Sequence, residues 1–264
     1  MTSARPGVNS DFGWPTFLYK GAGGHAFFDV IFGFPQYQTL VLLRRPSQQP
    51  KQAAGADGSE WPGPEEEEEL VAVGYATPCV WGGSSLEDLP PTWDHVIVTA
   101  RRMLADPASA PTPTAMSALA VEGRGLSQIV LGHMKVIARA QGAKGLLAPI
   151  RPILKPQYPL VDMEQYITWH VPDPKRPGQE VLFDPWLRTH VRLGARILQV
   201  SRGSATVYGS VAEWEEWTGM RFISSGPYTV PGGLVVLEVD REGDAAVYRE
   251  DNVWVAHTLL PDVS

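Results

Sequence analysis

Residues 121–127 read Val121-Glu122-Gly123-Arg124-Gly125-Leu126-Ser127, a spacing suited to holding an anion. Glycines at 123 and 125 let the main chain turn sharply and approach a ligand closely. If a helix starts directly after them, the amides of Gly125, Leu126 and Ser127 point outward, unpaired, at the positive end of its dipole. Arg124 adds a fixed positive charge, so a pyrophosphate suits this turn better than a neutral group. Farther along, Arg151 and Lys155 stand one helical turn apart if that piece is helical. Both would then face an anion, either a cofactor phosphate or an acceptor carboxylate.

The elements around the turn must be a strand and a helix. The apolar run 116–121 reads as a strand, and Leu126, Val130, Met134, Ile137 and Gln141 then recur about one helical turn apart. Gly142 suits the left-handed position that closes a helix, and Lys135 and Arg139 favour its carboxyl-terminal turns. A second apolar run, 145–150, follows at once. Two strands joined by a helix of this length make a right-handed crossover and lie parallel, and ligands dock at the carboxyl end of the first. Ahead of this unit, 16–19 reads as a first strand and 21–24 as a flexible glycine turn. A helical segment with Ala26, Phe27, Val30, Ile31 and Phe32 and a strand at 37–44 come next. Residues 46–69, ending in five glutamates, read as a mobile, solvated hairpin loop. A long strand at 70–81, bent or at an edge because of Pro78, and a helix at 93–105 complete the approach.

The strand, Gly-Arg-Gly-Leu-Ser turn, helix and strand of residues 114–151 resemble the acyl-coenzyme A binding core of the GNAT superfamily of N-acyltransferases. In that family the turn reads Gln or Arg, any, any, Gly, any, Gly or Ala; Gly125 matches the fourth place, while Glu122 and Ser127 replace the usual first and last residues. The resemblance implies an α/β fold (α+β) with a mixed, strongly twisted central sheet flanked by helices. It implies acetyl-CoA or another acyl-CoA as co-substrate, and acetyl transfer to a small-molecule amine that attacks the thioester directly. The main chain of Leu119, Ala120 and Val121 would pair with pantetheine amides, and Gly123, Arg124, Gly125, Leu126 and Ser127 would hold the pyrophosphate. Tyr158 is the nearest match to the tyrosine that protonates the departing thiolate, a task suited to a phenol of ordinary pKa about 10. Glu122, a histidine or a chain of waters would take the amine proton. Two rival readings keep the fold: a module that binds an acyl thioester without transferring it, and an enzyme with another donor, such as a carrier-protein thioester, or another reaction.

Organisation and composition complete the expectations. Residues 1–13 read as a flexible tail, 14–200 as the acyltransferase core, and 201–264 as a carboxyl-terminal extension packed on it. Within the later region, Asp184 and Pro185 look like the cap and first position of a helix ending at Gly194. Of 264 residues 44% are hydrophobic, enough for a large core. The net charge of −7, from 22 basic and 29 acidic residues, argues against nucleic acid as a partner. Cys79 is the single cysteine, so no intrachain disulfide forms and a reducing, cytoplasmic home is the default. Neither a signal peptide nor an apolar run long enough to span a bilayer is expected, and hence no membrane association. The six histidines show no paired spacing, so no metal is expected. No nucleophile elbow or phosphate loop of the Gly-Lys type occurs. Oligomeric state is left open, a homodimer among the options.

Overall fold

The computed structural model describes residues 14–45, 67–83, 85–122 and 125–259. In chain order the elements are α1 (Ala22–Gly33), β1 (Thr39–Arg45), β2 (Glu67–Cys79), α2 (Trp93–Ala105), β3 (Ala115–Glu122), α3 (Ser127–Ala140) and β4 (Leu146–Ile150). There follow α4 (Met163–Tyr166), β5 (His170–Pro172), β6 (Glu180–Leu182), α5 (Pro185–Arg192), β7 (Ala195–Gly209), α6 (Val211–Thr218), β8 (Gly226–Thr229), β9 (Val236–Asp240) and β10 (Ala245–His257). The main sheet runs β1-β2-β3-β4-β10-β9-β8, with β7 on the other edge of β10. Among the described residues its one parallel pair is β3 with β4, and the other ladders are antiparallel. This is the mixed α/β sheet flanked by helices that the resemblance implies.

Alternating side chains feed two cores. On one face Trp254 and Ala256 join Phe27, Trp93 and Ile97 of α1 and α2; on the other Val253 and Val255 join Val130, Leu131 and Met134 of α3. All five residues of β4 are buried, as expected of a central strand covered by helices on both faces. Helix α3 stops at a left-handed Gly142, φ +69°. Asp184 caps α5 through the amides of Trp186 and Leu187, with Pro185 at its first position. These features agree with the sequence reading.

Several expectations change. Residues 16–20 form a 3-10 helix rather than a strand, because four apolar or β-prone residues suit either conformation and Phe17 and Leu18 must both reach one core. The glycines at 21–24 are not a loose turn but the start of α1, where two elements nearly touch. A Cβ on Gly24 would lie 2.1 Å from the Leu18 carbonyl oxygen. The Gly23 amide donates to Asp94 Oδ1 at 3.1 Å, so α2 supplies the cap that α1 lacks. Residues 46–66 of the expected loop lie outside the described residues, but Glu67, Glu68 and Glu69 belong to β2. Register sets Arg45 opposite Glu67 and Arg44 opposite Glu68, so the strand extends well into the stretch read as loop.

Strand β2 lies between β1 and β3, but at Pro78 it is locally an edge, as expected. Pairing with β1 reaches only to Gly74, so Pro78 has a neighbour on its β3 side alone. The polar stretch 172–179 closes a small hairpin of β5 and β6. Strand β7 runs unbroken from Ala195 to Gly209, through the point where the sequence reading divides core from extension. Strand β10 sits inside the sheet between β4 and β7, so the final segment completes the sheet. A break in the β7–β10 register between Glu250 and Asn252 disguised this, because the intervening Ser201-Arg202-Gly203-Ser204 reads as a turn.

Candidate active site

The sheet opens where the site was expected. Strands β3 and β4 pair only at Met116 with Leu146 and Ser117 with Leu147. Beyond these pairs β3 keeps its β2 neighbour and β4 keeps β10, but the two no longer meet. Pro149 is tolerated in this central strand because no β3–β4 bond remains there for it to delete. Between the parted strands lies a narrow cleft, with about 30 Å³ of room for a water-sized sphere. Leu119 of β3 and Pro149 and Arg151 at the end of β4 form one part of it. Trp14, Tyr19 and Trp93 wall another, and Glu250 and Asn252 of β10 a third.

The opposite side of the parting is the start of α3. Its N-cap is Leu126, which offers no side-chain bond, so the first amides of the helix are left for another acceptor. Gly125 has φ +76°, and a Cβ there would meet nothing within 4 Å. The position needs glycine for its backbone angle, and the space beside it is open. Gly123 and Arg124 lie outside the described residues. Ala120, Val121 and Glu122 are described through their backbone in β3, where they pair with β2 as register partners of Tyr75, Gly74 and Val73.

Arg151 and Lys155 do not share a face. The Arg151 side chain is 16% exposed, its Nε 2.9 Å from Glu250 Oε1, and its Nη2 donates to the Gly232 carbonyl. Burial alone would pull its guanidinium down, but Glu250 together with Tyr248 more than offsets this and holds it above its ordinary pKa. Lys155 turns inward: fully buried, it donates through Nζ to the carbonyls of Tyr158 and Leu234 at 2.9 and 2.6 Å. Burial draws its pKa down. A lysine spent on two carbonyls has little left for an acceptor. Tyr158 is half-buried, its ring 5.0 Å from Trp169 in a T-shaped contact and 5.7 Å from Phe183.

Glu250 escaped the sequence reading. It accepts from Arg151, from Tyr248 Oη at 2.6 Å and from Asn252 Nδ2 at 3.2 Å. Burial and this carboxylate push the Tyr248 phenol well above its usual pKa, so it stays a donor to Glu250. The signal was present: Tyr248, Glu250 and Asn252 alternate on one face of a strand otherwise apolar on that side. Asp251, facing the other way, accepts from Arg202 and from the Gly203 amide, which pins the register break beside the cleft.

Two histidines, His190 and His257, lie away from this cleft. His190 Nδ1 and His257 Nε2 are 2.9 Å apart, both residues buried. His257 pairs with Leu146, at the start of β4. Arg151 follows the other end of that strand, about 15 Å away at strand rise. Among the described residues no group of three or more potential ligands could hold a metal, and no helix is long and apolar enough to cross a membrane.

No family model matches the chain. Over 268 aligned residues, 93% of this chain and 85% of the relative, it is 26% identical to an arginine N-acetyltransferase, avaD, of Aspergillus versicolor. Among solved structures it is similar to the loading GNATL domain of CurA from Lyngbya majuscula, with a TM-score of 0.39 and 17% identity over 72% of each chain. A relative aligned over nearly all of this chain, on a mixed sheet flanked by helices, supports an acyltransferase. That relative is an N-acetyltransferase, which supports the resemblance of residues 114–151 to N-acyltransferases of GNAT type.

Proposed function

We propose that the protein transfers an acyl group, acetyl first among candidates, from acyl-CoA to an amine of a small molecule. The observation that carries this reading is the parting of β3 and β4 after Ser117 and Leu147. It frees main-chain groups of Leu119, Ala120 and Val121 to bond the pantetheine arm. The uncapped start of α3 supports a pyrophosphate site at Gly125, Leu126 and Ser127, extended by Gly123 and Arg124. The amine attacks the thioester carbonyl, a β3 amide meets the developing oxyanion, the C–N bond forms and the C–S bond breaks. Tyr158 gives the thiolate its proton, and the amine proton leaves through Glu122 or water. The chain supplies mainly position. The relative's named acceptor, arginine, makes that amino acid the first amine to try.

The test is a thiol-release assay with acetyl-CoA over an amine panel, run with two variants. Ser127→Asp sets a carboxylate at the first helical position, where it serves the helix dipole but occupies the place of a phosphate. It should weaken acetyl-CoA binding by about 10- to 100-fold with an unchanged or higher Tm, since one charge-assisted contact contributes roughly 1.5–3 kcal/mol. Unaltered binding would remove the pyrophosphate from this helix. Tyr158→Phe should lower kcat by about 10²-fold, the lower range for a positioned acid, with little change in KM. An unaltered kcat would leave Tyr158 as packing.

A further inference from the structure

Arg151 and Glu250 form a neutral pair at the edge of an aromatic cleft, and that combination selects among amines. A lone anion approaching Arg151 would also meet Glu250; a lone cation approaching Glu250 would also meet Arg151. A zwitterion laid antiparallel to the pair meets attraction at both ends. Guanidinium has five donors, and Glu250 and the Gly232 carbonyl engage two of its nitrogens with one bond each, so donors remain for a carboxylate. Glu250 Oε2 accepts from Tyr248 and keeps a further lone pair. The surroundings are dry enough for these charges to count, with the Glu250 side chain 2% exposed.

We propose that the acceptor is a free α-amino acid, its carboxylate on Arg151 and its α-nitrogen at Glu250, with the side chain running along Trp14, Tyr19 and Trp93. This rests on the N-acyl transfer reading. Leu119, on the strand proposed to hold the thioester, lines the same cleft as the pair, which puts an α-nitrogen at Glu250 in the cleft that this strand borders. The ammonium releases one proton to water at the mouth of the cleft and attacks as the free amine. Amino acid and acyl-CoA then give N-acyl amino acid, free thiol and that proton. The planar walls suit flat side chains, whether aromatic or guanidinium, through stacking and cation–π contact.

The experiment pairs amino acids with their decarboxylated amines: arginine with agmatine, tyrosine with tyramine, tryptophan with tryptamine. Acetyl transfer should favour the best amino acid over its amine by at least about 100-fold in kcat/KM, mostly through KM, since a charge-assisted pair is lost. Calorimetry on the enzyme without donor should show the same order. The double variant Arg151→Met/Glu250→Gln, which leaves no unpaired charge behind, should shrink the preference below about threefold; Arg151→Lys should retain part of it. An amine accepted within threefold of its amino acid, or a preference that survives the double variant, overturns the proposal while leaving N-acyl transfer intact. Selective binding of amino acids with no thiol released from any of them supports the head-group site and sinks the transfer reading instead.

Discussion

Glu250→Ala should cost about 3–5 kcal/mol of folding stability, the range for removing one partner of a buried ion pair. The carboxylate accepts from Arg151, Tyr248 and Asn252. Deleting it strands a guanidinium with 16% of its side chain exposed and a phenol with no exposure, in a place water barely reaches. The loss is therefore dominated by uncompensated charge rather than by the pair's own attraction. Two comparisons follow from that cause. Glu250→Gln keeps an acceptor for the phenol and should lose less than the alanine variant. Arg151→Met/Glu250→Gln removes both charges and should recover at least half of the alanine variant's loss, because the desolvation cost of both ions vanishes together. Urea unfolding at fixed salt measures all three. A loss below 1 kcal/mol for Glu250→Ala would mean that water enters and solvates Arg151, and the cleft would then be too wet for its charges to discriminate among acceptors.

The contrast between what local pattern revealed and what it hid has a physical basis. The crossover of β3, α3 and β4 was legible because a period near 3.6, a left-handed Gly142 and two apolar runs all lie within forty residues or so and agree with one another. The cap of α5 was legible for the same reason: Asp184 and Pro185 act on amides two and three residues away. The cleft's charge pair was not, since Arg151 and Glu250 are 99 residues apart and meet only because β10 inserts beside β4. Nothing in the spacing of Arg151 and Lys155 reveals that one reaches across to β10 while the other turns under Tyr158. The glycines of α1 were misleading for a related reason. Gly24 is required by the backbone of Leu18 and Tyr19, and Gly23 by Asp94 and Trp93, so each is a packing constraint that composition presents as flexibility.

The histidine pair carries the second large effect, in the response to acid. Burial, and then the neighbouring His257, draw His190 down to about 3; burial and then Lys135 draw His257 down to about 4, partly opposed by a backbone bond to Leu193. Both folded-state values lie below the unfolded value of about 6.5, so the unfolded chain binds more protons and stability falls as pH falls. Little is lost at pH 7, where the unfolded imidazoles are already mostly neutral. By pH 5 each unfolded histidine gains roughly 1.5 pH units of protonation free energy, about 2 kcal/mol, and the folded pair gains almost none. The pair together should therefore cost about 2–4 kcal/mol between pH 7 and 5, with the slope continuing toward pH 4. Restricting the comparison to pH above 5 separates this from carboxylates such as Asp162 and Asp173, whose lowered values place their titration in more acidic solution. His190→Gln/His257→Gln removes both titrations and should flatten the urea midpoint across that window. Parallel pH curves for the two proteins would show instead that the imidazoles open to solvent before they protonate, because only a group kept neutral by the folded state can make folding depend on its proton.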